Sequence, residues 1–212
     1  MPIPPSIALM NRPMLPHPLV KMAALAALSL AGCTRHTPTT VPPATSATSS
    51  CLPSHDGYLR LRLRGARDLD VDWHDADLEC EGGERPGQGG LRMAFAGPVT
   101  GAGHRLRFVF GVAAVPGIAS SREVPTNVTV IFEGENGLYS TRGDDKCTID
   151  ELTQAPMLAR DAARLRAGTL RVSGRGFCAS PATAIDGQDT VLLSRFDFAG
   201  LVVDSATADH PQ

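Results

Sequence analysis

From Cys51 onward apolar and polar residues alternate with a period of two, which puts successive side chains on opposite faces of a strand. Tyr58–Arg64, Leu69–Leu78 and Leu91–Ala96 follow this pattern. So does "HRLRFVFGV" (104–112), where Leu106, Phe108 and Phe110 share one face and Arg105 and Arg107 the other. "NVTVIFE" (127–133) is rich in β-branched residues, and the Asn136-Gly137 pair after it is a hairpin signal. Thr169–Cys178 and Thr190–Val203 complete the set, the last long enough to predict a bend at Gly200. The stretch from Cys147 is less regular. Thr148 precedes Glu151 at a capping-box spacing, but Pro156 and Gly168 interrupt a helix. It predicts a strand over Cys147–Gln154, then an irregular or single-turn helical loop. All seven phenylalanines fall in these strands, as a β core requires. About eight short strands with Gly and Pro turns predict an all-β domain, an antiparallel sandwich or a barrel-like fold.

One stretch specifies its own pairing. "LRLRLRGARDLDVDW" (59–73) alternates arginine with leucine, passes a glycine, then alternates aspartate with apolar residues. With Gly65-Ala66-Arg67 as the loop, Arg64 faces Asp68, Arg62 faces Asp70 and Arg60 faces Asp72. On the other face Leu63 meets Leu69, Leu61 meets Val71 and Leu59 meets Trp73. A slip of one residue inverts every face, so this register is sharply favoured. Asp68, Asp70, Asp72 and Glu79 also carry EF-hand ligand spacing. The position that needs glycine is Trp73, and no helix flanks the stretch, so the aspartates are assigned to the arginines.

Composition narrows the class. The chain has 212 residues and a formal net charge of −2, with no basic footprint for nucleic acid. Residues 34–50, "TRHTPTTVPPATSATSS", hold too little apolar surface to offset their ordering entropy and predict a flexible tether. Before them, Arg12 and Lys21 precede the apolar run "MAALAALSL" (22–30), which is too short to span a bilayer and fits a secretory leader.

The leader ends in Leu30-Ala31-Gly32-Cys33, which resembles the lipobox of bacterial lipoproteins. The resemblance covers the first 33 residues. It implies a signal peptide over 1–32, cleavage before Cys33, and a diacylglycerol thioether and amine acylation on Cys33. Several acyl chains anchor stably where one binds only marginally. Thr34, in place of the aspartate associated with inner-membrane retention, implies the outer membrane, with the protein facing the periplasm. The organisation is then leader 1–32, lipidated cysteine and tether 33–50, β domain 51–206 and tail 207–212. The domain itself carries no motif of a characterised family.

With Cys33 lipidated, Cys51, Cys80, Cys147 and Cys178 remain, an even count that suggests two disulfides in an exported protein. Three connectivities are open. Cys51–Cys80 brackets the charged hairpin, and Cys147–Cys178 joins the facing ends of two strands; these two are the predicted pairs. The four are too scattered for a structural zinc site. "RGDDKCTIDE" gathers Asp144, Asp145, Asp150 and Glu151, weak candidates for calcium against the simpler reading of a solvated turn. No metal and no cofactor are predicted. Ser54-His55-Asp56 are consecutive and cannot easily form a relay, no nucleophile elbow, phosphate loop or zinc-protease motif is present, and His74 and His104 are isolated. No catalytic residue is assigned. The sequence therefore predicts a membrane-anchored envelope lipoprotein with a non-enzymatic binding or structural β domain and an envelope protein or ligand as partner. The alternatives are an inhibitor of an exported enzyme (a lysozyme or protease) and a hydrolase with a dispersed site.

Overall fold

The computed structural model describes residues 51–99, 103–135, 137–163 and 165–203. The leader, Cys33, the tether, Asn136, residues 204–206 and the tail lie outside these. The described chain forms β1 (Tyr58–Gly65), β2 (Leu69–His74), β3 (Glu79–Glu84), β4 (Leu91–Pro98), β5 (Arg105–Val112), β6 (Ser120–Glu133), β7 (Gly137–Ser140), β8 (Cys147–Pro156), α1 (Ala159–Ala162), β9 (Thr169–Cys178), β10 (Ala182–Ala184) and β11 (Thr190–Val203). The fold is the all-β, antiparallel domain that the alternation predicts, with eleven strands in one continuous sheet.

Two long strands organise it. On one side β6 pairs β8 along its first half and β7 along its second, while its other side pairs β5. In the same way β11 pairs β10 at its start and β9 from Phe196 to Val203, with β1 on its other side. The ladders β8–β9 and β7–β10 bridge the two long strands. β4 and β3 continue from β5, and β3 returns against the end of β11, where a Cβ on Gly82 would collide with the Leu201 carbonyl. The contact is packing without a ladder, and the glycine-rich "ECEGGE" is held as a strand by its six-residue ladder with β4.

The core lies between β4–β5 and β11. Phe110 packs on Phe196 and Phe198 with ring centroids 5.1 and 5.2 Å apart, and Phe95 lies 5.5 Å from Phe198. Trp73 brings β2 onto this layer, 5.9 Å from Phe108, and its indole Nε1 donates to the Pro98 carbonyl at 3.0 Å. Six of the seven phenylalanines are buried or nearly so; Phe177 is 42% exposed and points out of the sheet.

The β1–β2 hairpin has the expected register, with Leu59 opposite Trp73, Arg60 opposite Asp72, Leu61 opposite Val71, Arg62 opposite Asp70 and Leu63 opposite Leu69. The leucines, Val71 and Trp73 are buried, apart from Leu69, which is half-buried. The outermost charges differ from expectation. Arg64 reaches diagonally to Asp70 at 2.6 Å, and Asp68 instead accepts the Gly65 N–H at 2.9 Å. Gly65, at φ 119°, turns its amide toward Asp68, which stays exposed.

Other boundaries also shift. The run predicted over Leu69–Leu78 breaks at His74, because the buried Asp75 carboxylate accepts the Leu52 N–H at 2.9 Å and meets His55 Nδ1 at 2.8 Å, fastening the turn to the N-terminal segment. β6 begins at Ser120, seven residues before the β-branched run, since β8 supplies it a partner there. β11 keeps an unbroken register with β9 through Gly200, where a Cβ would meet Phe95 at 2.9 Å, and its register irregularity is a bulge at Ser194–Arg195. The helical turn after β8 is α1. Both predicted disulfides are present, Cys51–Cys80 and Cys147–Cys178. Among the described residues no helix is long and apolar enough to cross a membrane.

Candidate functional site

The outward faces of β2, β1, β11, β9, β8 and β6 carry one row of charges. By register Asp72 stands opposite Arg60, Arg60 opposite Asp197, Asp197 opposite Arg175, Arg175 opposite Glu151, and Glu151 opposite Arg122. The sign alternates across six strands. Opposite charges facing one another each stabilise a sheet by roughly 0.2–1 kcal/mol, with exposed pairs at the low end. Close ion pairs form at Arg60–Asp72 (3.0 Å) and Arg175–Glu151 (2.7 Å). Glu151 reaches this row through a second bulge, at Asp150–Glu151 of β8, which turns both carboxylates outward while Ile149 and Leu152 stay buried.

Beside the row lies a hollow of about 290 Å³, lined by Tyr58, Glu151, Thr153, Ser173, Gly174, Arg175 and Asp197. Its shape follows from the sequence of β9. Gly174 and Gly176 face inward, and a Cβ on Gly174 would press on Phe198, Ile149 and Leu152 at 3.1–3.2 Å. Lacking side chains, these positions let β9 pack closely on Phe196, Phe198 and β8 beneath the hollow. The walls are fixed by their own pairings. Tyr58 Oη donates to Asp197 Oδ1 at 2.8 Å, and the Arg60 guanidinium lies 4.9 Å from the Tyr58 ring centroid. Burial, followed by the Asp197 carboxylate, pushes the Tyr58 phenol above its ordinary pKa, so it stays a neutral donor. The hollow thus offers hydroxyls, two carboxylates and a guanidinium. That set suits a polar ligand more than an apolar one, and its size is near the lower end for small-molecule sites.

The residues singled out from the sequence are dispersed. Ser54 donates to Asp56, whose other oxygen meets Arg171 at 3.0 Å, while His55 turns to Asp75; the three consecutive residues form no relay. The Ser54 and Arg171 contacts hold the Asp56 carboxyl below its ordinary value against the opposing effect of burial, which is the largest single influence. His74 pairs with Asp72 at 3.2 Å, and His104 precedes β5.

The four calcium candidates do not converge. Asp144 takes a two-pronged contact from Arg85 at 3.0 and 3.1 Å and a hydrogen bond from Asn127 at 2.7 Å. Asp145 pairs with Lys146 at 2.8 Å, Asp150 is exposed on β8, and Glu151 belongs to Arg175. Among the described residues no group of three or more His, Cys, Asp or Glu is placed to hold a metal. Arg85 is only 8% exposed, so its contacts to Asp144 and Gln88 form a structural network joining the β3–β4 turn to the loop before β8.

Of the hollow's lining, only Glu151 was a sequence candidate. Asp197 between Phe196 and Phe198, and Arg175 between two glycines, are outward by parity, but their meeting depends on which distant strands pair. Comparison with protein-family models, curated proteins and solved structures finds no match to this chain.

Proposed function

We propose that the chain is a lipid-anchored envelope lipoprotein whose β domain binds a polar envelope ligand on the outer face of β1, β11, β9 and β8. The observation that carries the reading is the hollow, where Tyr58 with Asp197 and Arg175 with Glu151 are already paired and oriented, so little entropy of these side chains opposes binding. The anchor rests on the LAGC motif, and a tether of residues 34–50 would give the domain reach from the outer membrane into the periplasm. The test uses the full chain as bait in envelope extract beside Ser173→Trp, which fills the hollow. Material retained by the wild type and lost by the variant supports the reading; equal retention by both sinks it.

A second reading, an inhibitor of an exported enzyme, is favoured by one separate feature. The loop between β5 and β6 exposes Val115 (66%) and Ile118 (50%), yet its backbone is braced from below. The buried Gln154 amide donates to the Val115 carbonyl and accepts the Gly117 N–H, both at 2.9 Å. A rigid apolar loop suits insertion into a protein cleft. Val115→Asp would abolish retention of such a protein and leave the Ser173→Trp result unchanged.

A further inference from the structure

The alternation of charge on the outer face breaks at one place. Arg62 of β1 stands directly opposite Arg195 of β11, both exposed. Like charges so placed are destabilising. Among the described residues neither makes an ion pair, although carboxylates are close. Asp70, opposite Arg62 on β2, is taken by Arg64 at 2.6 Å. Asp72 and Asp197, two positions further along, are held by Arg60 and by Tyr58.

The juxtaposition is built in by the bulge. Ser194 is the extra residue of β11, and it lets Leu193 and Phe196 both face the core while Ser194 and Arg195 both face out. Bulges are enriched where a side chain must be re-aimed for function. On the other side of Arg195, one position past the Phe196–Gly176 pair, comes the exposed Phe177. Two arginines without an ion pair, a hydroxyl and an aromatic ring therefore meet on a surface whose nearby carboxylates, Asp70, Asp72 and Asp197, are already held by other groups.

We propose that Arg62 and Arg195 form a clamp for a phosphoryl group, with the Ser194 hydroxyl beside it. Two guanidinium forks match a dianion with three acceptor oxygens better than a single carboxylate, and charge-assisted bidentate bonds are the strong ones. The clamp deepens the binding reading of this face. Arg195 and Asp197 are alternate outward residues of one strand, so a ligand in the hollow can place a phosphoryl group between the arginines. The ligand class is a phosphorylated polar molecule, either a sugar phosphate or a glycerophosphate headgroup.

The test is calorimetric titration of the full chain carrying Cys33→Ala, so that no acyl chain contributes, at low ionic strength. The probes are inorganic phosphate, a hexose 6-phosphate and glycerol 3-phosphate. Inorganic phosphate should bind saturably, about tenfold or more weakly in Arg62→Gln and in Arg195→Gln, and unchanged in Arg160→Gln on α1. Tighter hexose 6-phosphate supports the clamp with a sugar phosphate; tighter glycerol 3-phosphate supports it with a headgroup. A melting measurement gives a second readout. Without phosphate both clamp variants should melt at or above the wild type, because repulsion is relieved, and with phosphate the order should reverse. Ser173→Trp should leave inorganic phosphate binding intact, which separates failure of the hollow from failure of the clamp. No saturable phosphate binding, or binding undiminished in both clamp variants, overturns the proposal.

Discussion

At the scale of single residues, burial separates side chains that sustain the fold from those that decorate it. Leu61 is buried under the hairpin, and Leu61→Ala should cost about 2–5 kcal/mol. Asp70 pairs with Arg64 in solvent, and Asp70→Asn should cost about 0–1 kcal/mol. Chemical denaturation of both variants checks the contrast. Asp144 is intermediate, since its arginine partner is buried while it is itself partly open to water. Asp144→Ala strands Arg85 and should cost about 1–3 kcal/mol, below the figure for a fully buried pair. The pH dependence has a definite sign. Hydrogen bonds from Arg85, joined by Asn127, hold the Asp144 carboxyl below its ordinary value of 3.8. Its contribution is therefore complete above that value and lost as pH falls through the lower folded-state pKa. Melting temperature followed from pH 5 downward should show a shallower acid limb for Asp144→Asn than for the wild type.

At the scale of elements, the hairpin and disulfides were legible because their signals are local. The arginine and aspartate runs specify a register within fifteen residues, and the cysteines bracket strands that neighbour one another. What escaped the sequence depends on distant partners. β3 exists because β4 pairs with it along its whole length, its Gly82 admits the close approach of β11, and β6 starts early because β8 lies beside it. The bulge at Ser194–Arg195 is readable only once Leu193 and Phe196 are known to face the same core. The hollow required three such facts together, namely the β9–β11 pairing, the β8 bulge and the inward glycines. Two predictions belong here. Replacing Cys147 and Cys178 together by alanine should cost about 2–5 kcal/mol by reversible unfolding, since it frees the loop that joins β8 to β9. Trp73→Phe keeps most of the packing but loses the bond to Pro98, and should cost far less than Trp73→Ala, for which about 3–5 kcal/mol is expected.

At the scale of the whole molecule, the proposed architecture is an anchor, a tether and an eleven-stranded antiparallel sheet. The anchor predicts that Cys33→Ala leaves an unprocessed, unlipidated precursor; intact-mass detection of an acylated form in that variant would contradict it. The sheet presents a face with a shallow hollow above inward glycines and with charges ordered by strand pairing. The central claim is that this face is occupied in the envelope, and carboxylate footprinting tests it most directly. Carbodiimide labelling, read by mass spectrometry, would compare the chain in isolated envelopes with the purified chain. Glu151 and Asp197, at the hollow, should be protected in the envelope, while Glu79 and Glu81 of β3 label equally in both. Equal labelling of Glu151 and Asp197 in the two preparations would contradict the account.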